Sequence, residues 1–207
     1  MKGLFITIEG PDGAGKSTQI ELLKKYFKEK GKNIVITREP GGTLISEKIR
    51  DIILDNENIK MEYTTEALLY AASRAQHVGE KIIPALKKRQ VVICDRFVHS
   101  SLIYQGLGRG LGIEEVKKIN DFAIKGIMPD ITLFFDISPE VALKRKGKID
   151  KRDRLENEKI DFHKKVYDGY KKLIEKYPEE FTVIDATKSI EDIHEDVINK
   201  LYEKGLS

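Results

Sequence analysis

Five short apolar runs punctuate a chain of mixed polarity: LFITIE (4–9), NIVIT (33–37), VVICD (91–95), ITLFFD (131–136) and FTVID (181–185). Each is rich in Val, Ile and Phe, and most are continuous rather than alternating. Such runs fit strands that bury both faces. Between them, apolar positions recur at helical spacing. After the first run, Ile20, Leu23 and Phe27 fall on one face with Leu22 and Tyr26 beside them, and this helix is expected to end near Gly31. In SPEVALKR, Ser138 is placed to cap a helix and Pro139 to occupy its first turn. SIED (189–192) reads as a capping box. Strands alternating with helices require parallel crossovers, so the pattern predicts an α/β fold with helices on both faces of a five-stranded parallel sheet. No repeat, linker or composition break divides residues 1–207, and a single domain is expected.

Composition narrows the classes. Hydrophobic residues make up 40% of the chain and charged residues 34%, which excludes a disordered protein. The net charge of +3 is too small for a dedicated nucleic-acid binder, so any basic function must be local. The single cysteine, Cys94, excludes an internal disulfide framework and lies in an apolar run, as a buried inert thiol does. A cytoplasmic setting is expected. No apolar stretch reaches bilayer length, and the start, MKGLFITIEG, is too soon interrupted for a signal peptide, so no membrane association is expected.

Three of the runs end in an aspartate, Asp95, Asp136 and Asp185. In open parallel sheets ligands bind beyond the carboxyl ends of the strands. The first run feeds GPDGAGKST (10–18), which contains the P-loop pattern G-x-x-x-x-G-K-[ST] between a strand and an amphipathic helix. Its glycines let backbone N–H groups curl round a phosphate, and the helix start adds unpaired donors. Lys16 can reach the β and γ phosphates of a nucleoside triphosphate, and Ser17 can ligate Mg²⁺. The N-K-x-D guanine motif of GTPases and the L-S-G-G-Q-like signature of transporter ATPases are missing, and a small-molecule kinase remains.

Such a kinase needs cations for an acceptor. In CDRFVHSSLIYQG (94–106), Asp95 is a natural partner for Mg²⁺ or its waters, and Arg96 stands where its planar fork can bridge donor and acceptor oxygens; a structural Asp–Arg pair is the alternative. REPGGT (38–43) follows the second run, and EKIR brings Arg50 onto the next helix. In LLYAASRAQH (68–77), Tyr70 and Arg74 are four apart and point the same way, either into a site or as a core residue and a solvated charge. KRKGKIDKRDR (144–154) could be a solvated face or a nucleic-acid patch, but its position suits a lid over polyphosphate, spanning about 142–156. The four histidines show no metal-ligand spacing.

EGPDGAGKSTQ, TREPGGT, SRAQH, CDRFVHSSLIYQGLGRG and PDITLFFDISPEVALKR occur in this order and at this spacing. Together they closely resemble the bacterial thymidylate kinases, over essentially the whole chain. The resemblance implies the P-loop NTPase fold and transfer of the γ-phosphate of ATP to dTMP in dTTP synthesis, with Mg²⁺, in a homodimer. It implies that Gly10, Pro11, Asp12, Gly13, Ala14, Gly15, Lys16, Ser17 and Thr18 hold ATP, with Asp12 also facing the acceptor sugar or metal-bound water. Glu39 and Pro40 would shape the acceptor-phosphate side, and Arg50 and Arg96 would bind that phosphate. Tyr70 would stack on the thymine, Arg74 and Gln105 would bond to it with Ser101 alongside, and Tyr104 would exclude a 2′-hydroxyl. Ser17 and Asp95 would serve the metal. Arg145 and Arg154 would be lid cations, catalytic together with Lys16 and Arg96. Two departures stand out: Tyr70 occupies a position where Phe is frequent, and the lid is rich in lysine. The P-loop has no extra basic residue in its variable positions, so the family pattern places the transition-state cation on the lid.

Overall fold

Leu4–Glu9 forms β1, whose side chains are almost wholly buried because strands lie on both sides of it. The computed structural model describes residues 2–146 and 153–206, with Lys146 described by its backbone alone. β1 pairs with Val91–Asp95 (β3) and with Ile131–Asp136 (β4). Ile34–Arg38 (β2) and Thr182–Asp185 (β5) form the edges, giving the order β2-β3-β1-β4-β5 with every pair parallel. The continuous apolar runs belong to the three central strands. The edge strands are half exposed, as Val183 at 42% shows, because one of their flanks meets no further strand. Strand limits match the sequence runs to within one residue, Asn33 and Phe181 falling just outside.

Helices cover both faces of the sheet. Lys16–Glu29 (α1) buries Ile20, Leu23 and Phe27 in one core cluster with Ile6 and Ile8 of β1 and with Ile193, Val197 and Leu201 of the C-terminal helix. Leu23 and Phe27 are essentially inaccessible, and burial of each contributes about 1.5–3 kcal/mol. Leu44–Leu54 (α2) starts at Thr43, whose hydroxyl accepts from Ser46 N at 3.3 Å. Tyr63–His77 (α3) continues through a π-helical turn, Val78–Ile82, into Ile83–Lys87 (α4). These lead into the second core, where Val78 and Ile82 meet Phe5, Val92 and Phe97.

The chain after β3 forms Val98–Ser101 (α5), which runs into a π-helical segment, Leu102–Gly108, and then Ile113–Ile124 (α6). Pro139–Lys146 (α7) follows β4. Its first turn lies against Ser138, whose Oγ is 3.4 Å from Val141 N. Ile160–Lys176 (α8) packs on the π-helical segment, and Ile190–Glu203 (α9) closes the fold. Ser189 caps α9 by accepting from Asp192 N at 3.1 Å. The reciprocal half of the capping box differs: Ser189 Oγ donates to the Asp192 carboxylate at 2.7 Å, so that carboxylate pairs with the hydroxyl.

Candidate active site

The carboxyl ends of β1, β3 and β2 lie level, and the loops that leave them build one groove. Arg96 N donates to Ile8 O at 2.9 Å and Glu39 N to Asp95 O at 3.0 Å, tying the three loops together. Gly10 opens the first loop at φ 139°; a Cβ there would stand 2.8 Å from Phe135 O, so the chain can turn under the sheet only without one. α1 starts from Gly15, which has no side chain to cap its first-turn N–H groups. That leaves backbone donors for an anion. Lys16 is buried and bends back over the loop, donating to Gly10 O at 3.1 Å and Pro11 O at 3.0 Å. Burial, reinforced by the nearby Arg96 charge, pulls its pKa below the ordinary value.

A pocket at this loop is lined by Asp12, Gly13, Gly15, Lys16, Ser17, Thr18, Asp95 and Arg145. A second is lined by Asp12, Glu39, Pro40, Arg50, Tyr70, Arg74, Asp95, Arg96, Ser101, Tyr104 and Gln105, among others. The two meet at Asp12 and Asp95. Asp12 Oδ1 stands 2.7 Å from Arg96 Nη2 and 3.6 Å from Lys16 Nζ, so one carboxylate bridges the cations of the two pockets. Arg96 adopts φ 66°, a left-handed backbone that costs a non-glycine residue about 1–2 kcal/mol. The strain turns its guanidinium over the groove, 5.3 Å from the Tyr104 ring.

The second pocket rests on a buried polar floor. Arg74 is 1% exposed. Its Nε donates to Glu39 Oε2 at 2.6 Å, Nη1 to Ser101 Oγ at 2.9 Å and to Asn120 Oδ1, and Nη2 to Phe97 O at 3.1 Å. Glu39 Oε1 also meets His77 Nδ1 at 2.9 Å, and His77 Nε2 meets Thr37 Oγ1 at 2.7 Å. Gly42 lies so close that a Cβ would stand 2.7 Å from His77 Nε2, which explains the second glycine of REPGGT. Arg50 donates to Pro40 O at 2.8 Å on the pocket wall. Burial pushes the Tyr70 phenol up, and the Tyr104 phenol up to about 12, so both remain neutral hydrogen-bonding groups near pH 7. The π-helical segment carries Tyr104 and Gln105 as consecutive residues that both face this pocket.

The acids at the strand ends divide. Asp95 lines both pockets, and its Oδ1 is buried without a hydrogen-bond partner among the described residues. Asp136 instead accepts from Tyr167 and Lys171, and Asp185 from Thr187, so neither serves the groove. Among the described residues no cluster of three or more His, Cys, Asp or Glu could by itself hold a metal. Asp95, with its orphaned carboxylate oxygen, and Ser17 line the same pocket, and a carboxylate with a hydroxyl is a donor set that could hold Mg²⁺, which takes a few protein ligands and completes its shell with water and phosphate.

The lid residues separate. Arg145 is exposed at the edge of the P-loop pocket and donates to Ala186 O at 2.6 Å and Thr187 O at 2.9 Å. Arg154 is paired behind the second pocket, whose lining includes its neighbours Asp153 and Leu155. It is nearly buried and donates to Glu66 Oε2 at 2.7 Å and Ile53 O at 2.9 Å. A buried carboxylate outcompetes solvent for a guanidinium, and Glu66 supplies one. Lys148, Lys151 and Arg152 lie outside the described residues.

Glu9 has no role among the sequence motifs. Buried at the end of β1, it accepts from Phe97 N at 2.8 Å, Ser100 Oγ at 2.5 Å and the Tyr170 hydroxyl at 2.7 Å, and so holds the loop that carries Arg96. Its signal in the sequence is an acid closing an otherwise apolar buried strand. Cys94 is buried, and burial raises its thiol pKa well above the ordinary value, as expected for an inert thiol.

A family model described as thymidylate kinase matches residues 8–197. The thymidylate kinase of Finegoldia magna is 55% identical over 203 residues, covering 98% of this chain and all of the relative. That of Clostridium novyi is 54% identical, covering 95% and 97%. The crystal structure of thymidylate kinase from Ehrlichia chaffeensis superposes with a TM-score of 0.78 at 33% identity, covering 97% of this chain and 99% of that one. With a P-loop facing a second cationic pocket and full-length likeness at this level, the chain belongs to the thymidylate kinase family.

Proposed function

We propose the following roles for the residues of this site in the transfer of the γ-phosphate of ATP to dTMP, which yields ADP and dTDP. Gly10 to Thr18 hold the ATP phosphates, and Lys16 lies against the transferred group. Arg50 and Arg96 hold the acceptor phosphate beside the loop. Tyr70 stacks on the base, with Arg74, Ser101 and Gln105 at its edge and Tyr104 against the sugar. The acceptor phosphate has a second pKa of about 6 and is already mostly a dianion near pH 7. No base is needed, and the barrier is repulsion between two anions. Lys16, Arg96 and a lid cation, for which Arg145 is the described candidate, neutralise that charge and keep the reacting oxygens in line. Ser17 and Asp95 would hold Mg²⁺, which when bound would supply further positive charge on the phosphates.

The observation that carries this reading is the meeting of the two pockets at Asp12, whose carboxylate faces both Lys16 and Arg96. The test is a coupled assay with MgATP across dTMP, dUMP, UMP, AMP, GMP and thymidine. The expected order places dTMP first and dUMP second, because one methyl group separates them by roughly 1–3 kcal/mol. Lys16→Ala and Arg96→Ala serve as inactive controls. No ADP formed with dTMP overturns the reading.

A homodimer is supported by apolar residues exposed on adjoining helices, Leu68 on α3 at 52% and Phe122 on α6 at 88%. A monomer mass in sedimentation velocity removes it. We place the reaction in the cytoplasm, where ATP is made and used. Among the described residues no helix is long and apolar enough to cross a membrane.

A further inference from the structure

Glu66 sits one turn before Tyr70 and two before Arg74 on the same face of α3, and it is fully buried. Four donors surround its carboxylate. Gln105 Nε2 stands 2.9 Å and Arg109 Nε 3.2 Å from Oε1; Arg109 Nη2 stands 3.2 Å and Arg154 Nη2 2.7 Å from Oε2. A carboxylate offers about four lone-pair sites, and all are filled. Arg109 also donates to Glu158 at 2.5 Å and lies between the rings of Tyr63 and Phe162. Two guanidinium groups thus face two carboxylates. Burial alone would raise the Glu66 pKa, but hydrogen bonds from Arg109, Gln105 and Arg154 outweigh it and hold the group ionised below its usual range.

We propose that Glu66 is a positioning residue for base selection, fixing the Gln105 amide with its nitrogen inward and its carbonyl oxygen toward the acceptor pocket. An ionised carboxylate only accepts, so only the Nε2 end of Gln105 can face it. The reversed amide would set oxygen against oxygen in a buried site. Gln105 lines the pocket with Tyr70 and Arg74, so its carbonyl is the end presented there. Arg74 presents only N–H groups. A donor beside an acceptor matches a pyrimidine with a carbonyl next to a ring N–H, as in thymine and uracil. Cytosine carries an amino group and a bare ring nitrogen at the same places, so both contacts are reversed. Thymine is then separated from uracil elsewhere, at its methyl group.

This assignment rests on the reading of the second pocket as the dTMP site. It is tested with Glu66→Gln, which keeps the shape but adds donors that accept either orientation of Gln105. kcat/KM for dTMP is measured together with dCMP as acceptor and as competitive inhibitor. The variant is expected to lose about tenfold in kcat/KM for dTMP, chiefly through KM, while dCMP binds no worse, so the gap between the two nucleotides narrows by about tenfold. In a cycle with Gln105→Ala the narrowing is expected to be non-additive. A folded variant that loses activity or stability with the gap unchanged, or an additive cycle, overturns the assignment. If the variant does not fold, the wild-type chain with ¹⁵N-glutamine decides: the Gln105 Nε2 protons are expected to exchange slowly with and without dTMP, and rapid exchange in both states overturns it. Wild-type protein inactive on dTMP overturns the reading of the pocket, whereas normal turnover with unchanged discrimination overturns the role of Glu66 alone.

Discussion

Arg96 Nη2 lies 2.7 Å from Asp12 Oδ1, across 84 residues of sequence, and this contact joins the loop after β3 to the loop after β1. It keeps a planar guanidinium between the two pockets, where a phosphate can replace the carboxylate as partner. Arg96→Lys keeps the charge but loses the fork. We expect kcat to fall by about 10³-fold or more, on the scale of arginine contributions to phosphoryl transfer, with an unchanged far-ultraviolet spectrum. Steady-state kinetics on dTMP check this.

Arg145 and Arg154 should part company when each is replaced by alanine. Arg154 neutralises a buried carboxylate, so Arg154→Ala is expected to destabilise the fold by about 1–3 kcal/mol, read as a drop of several degrees in Tm. Arg145 is exposed beside the P-loop pocket, so Arg145→Ala is expected to leave Tm unchanged and to raise KM for ATP or lower kcat. Equal Tm losses would count against the separate roles.

Asp95 carries an orphaned oxygen where a divalent ion fits. Asp95→Asn removes charge but little volume. The magnesium concentration giving half-maximal rate should rise severalfold, and chelation of the metal should abolish turnover of the wild-type chain. A magnesium dependence identical in both proteins would place the metal elsewhere.

Tyr104 stands over Arg96 in the acceptor pocket with its hydroxyl neutral. Tyr104→Ala should admit a ribose. The kcat/KM ratio of dTMP to its ribonucleotide analogue is expected to fall by about tenfold, a steric discrimination being removed. An unchanged ratio would take the role from Tyr104.

Acid should weaken the Glu66 network. Its pKa is lowered below the ordinary 4.5 by the folded state. The stability it contributes is therefore fully present above about pH 4.5 and is lost as the pH falls through the lower folded value. Between about pH 5 and pH 3, urea midpoints of the wild-type chain should drop faster than those of Glu66→Gln, which has no carboxylate to protonate.

The strands, the helix after the glycine loop and the loop itself were legible in linear order because they depend on local pattern. Ile20, Leu23 and Phe27 share a face through helical period alone, and GPDGAGKST needs only its own glycines and the strand before it. Asp95, Asp136 and Asp185 look alike in sequence, yet only Asp95 reaches the groove; the other two meet Tyr167, Lys171 and Thr187, partners brought in by α8 and by the turn after β5. Arg154 reads as one more cation of a basic run until Glu66, 88 residues earlier, is found buried beside it. Local spacing fixes period, turn and loop chemistry, since those forces act over a few residues. The partners of buried charges are set by how helices pack across the sheet, because desolvation penalises an unpaired ion wherever its partner lies in the chain.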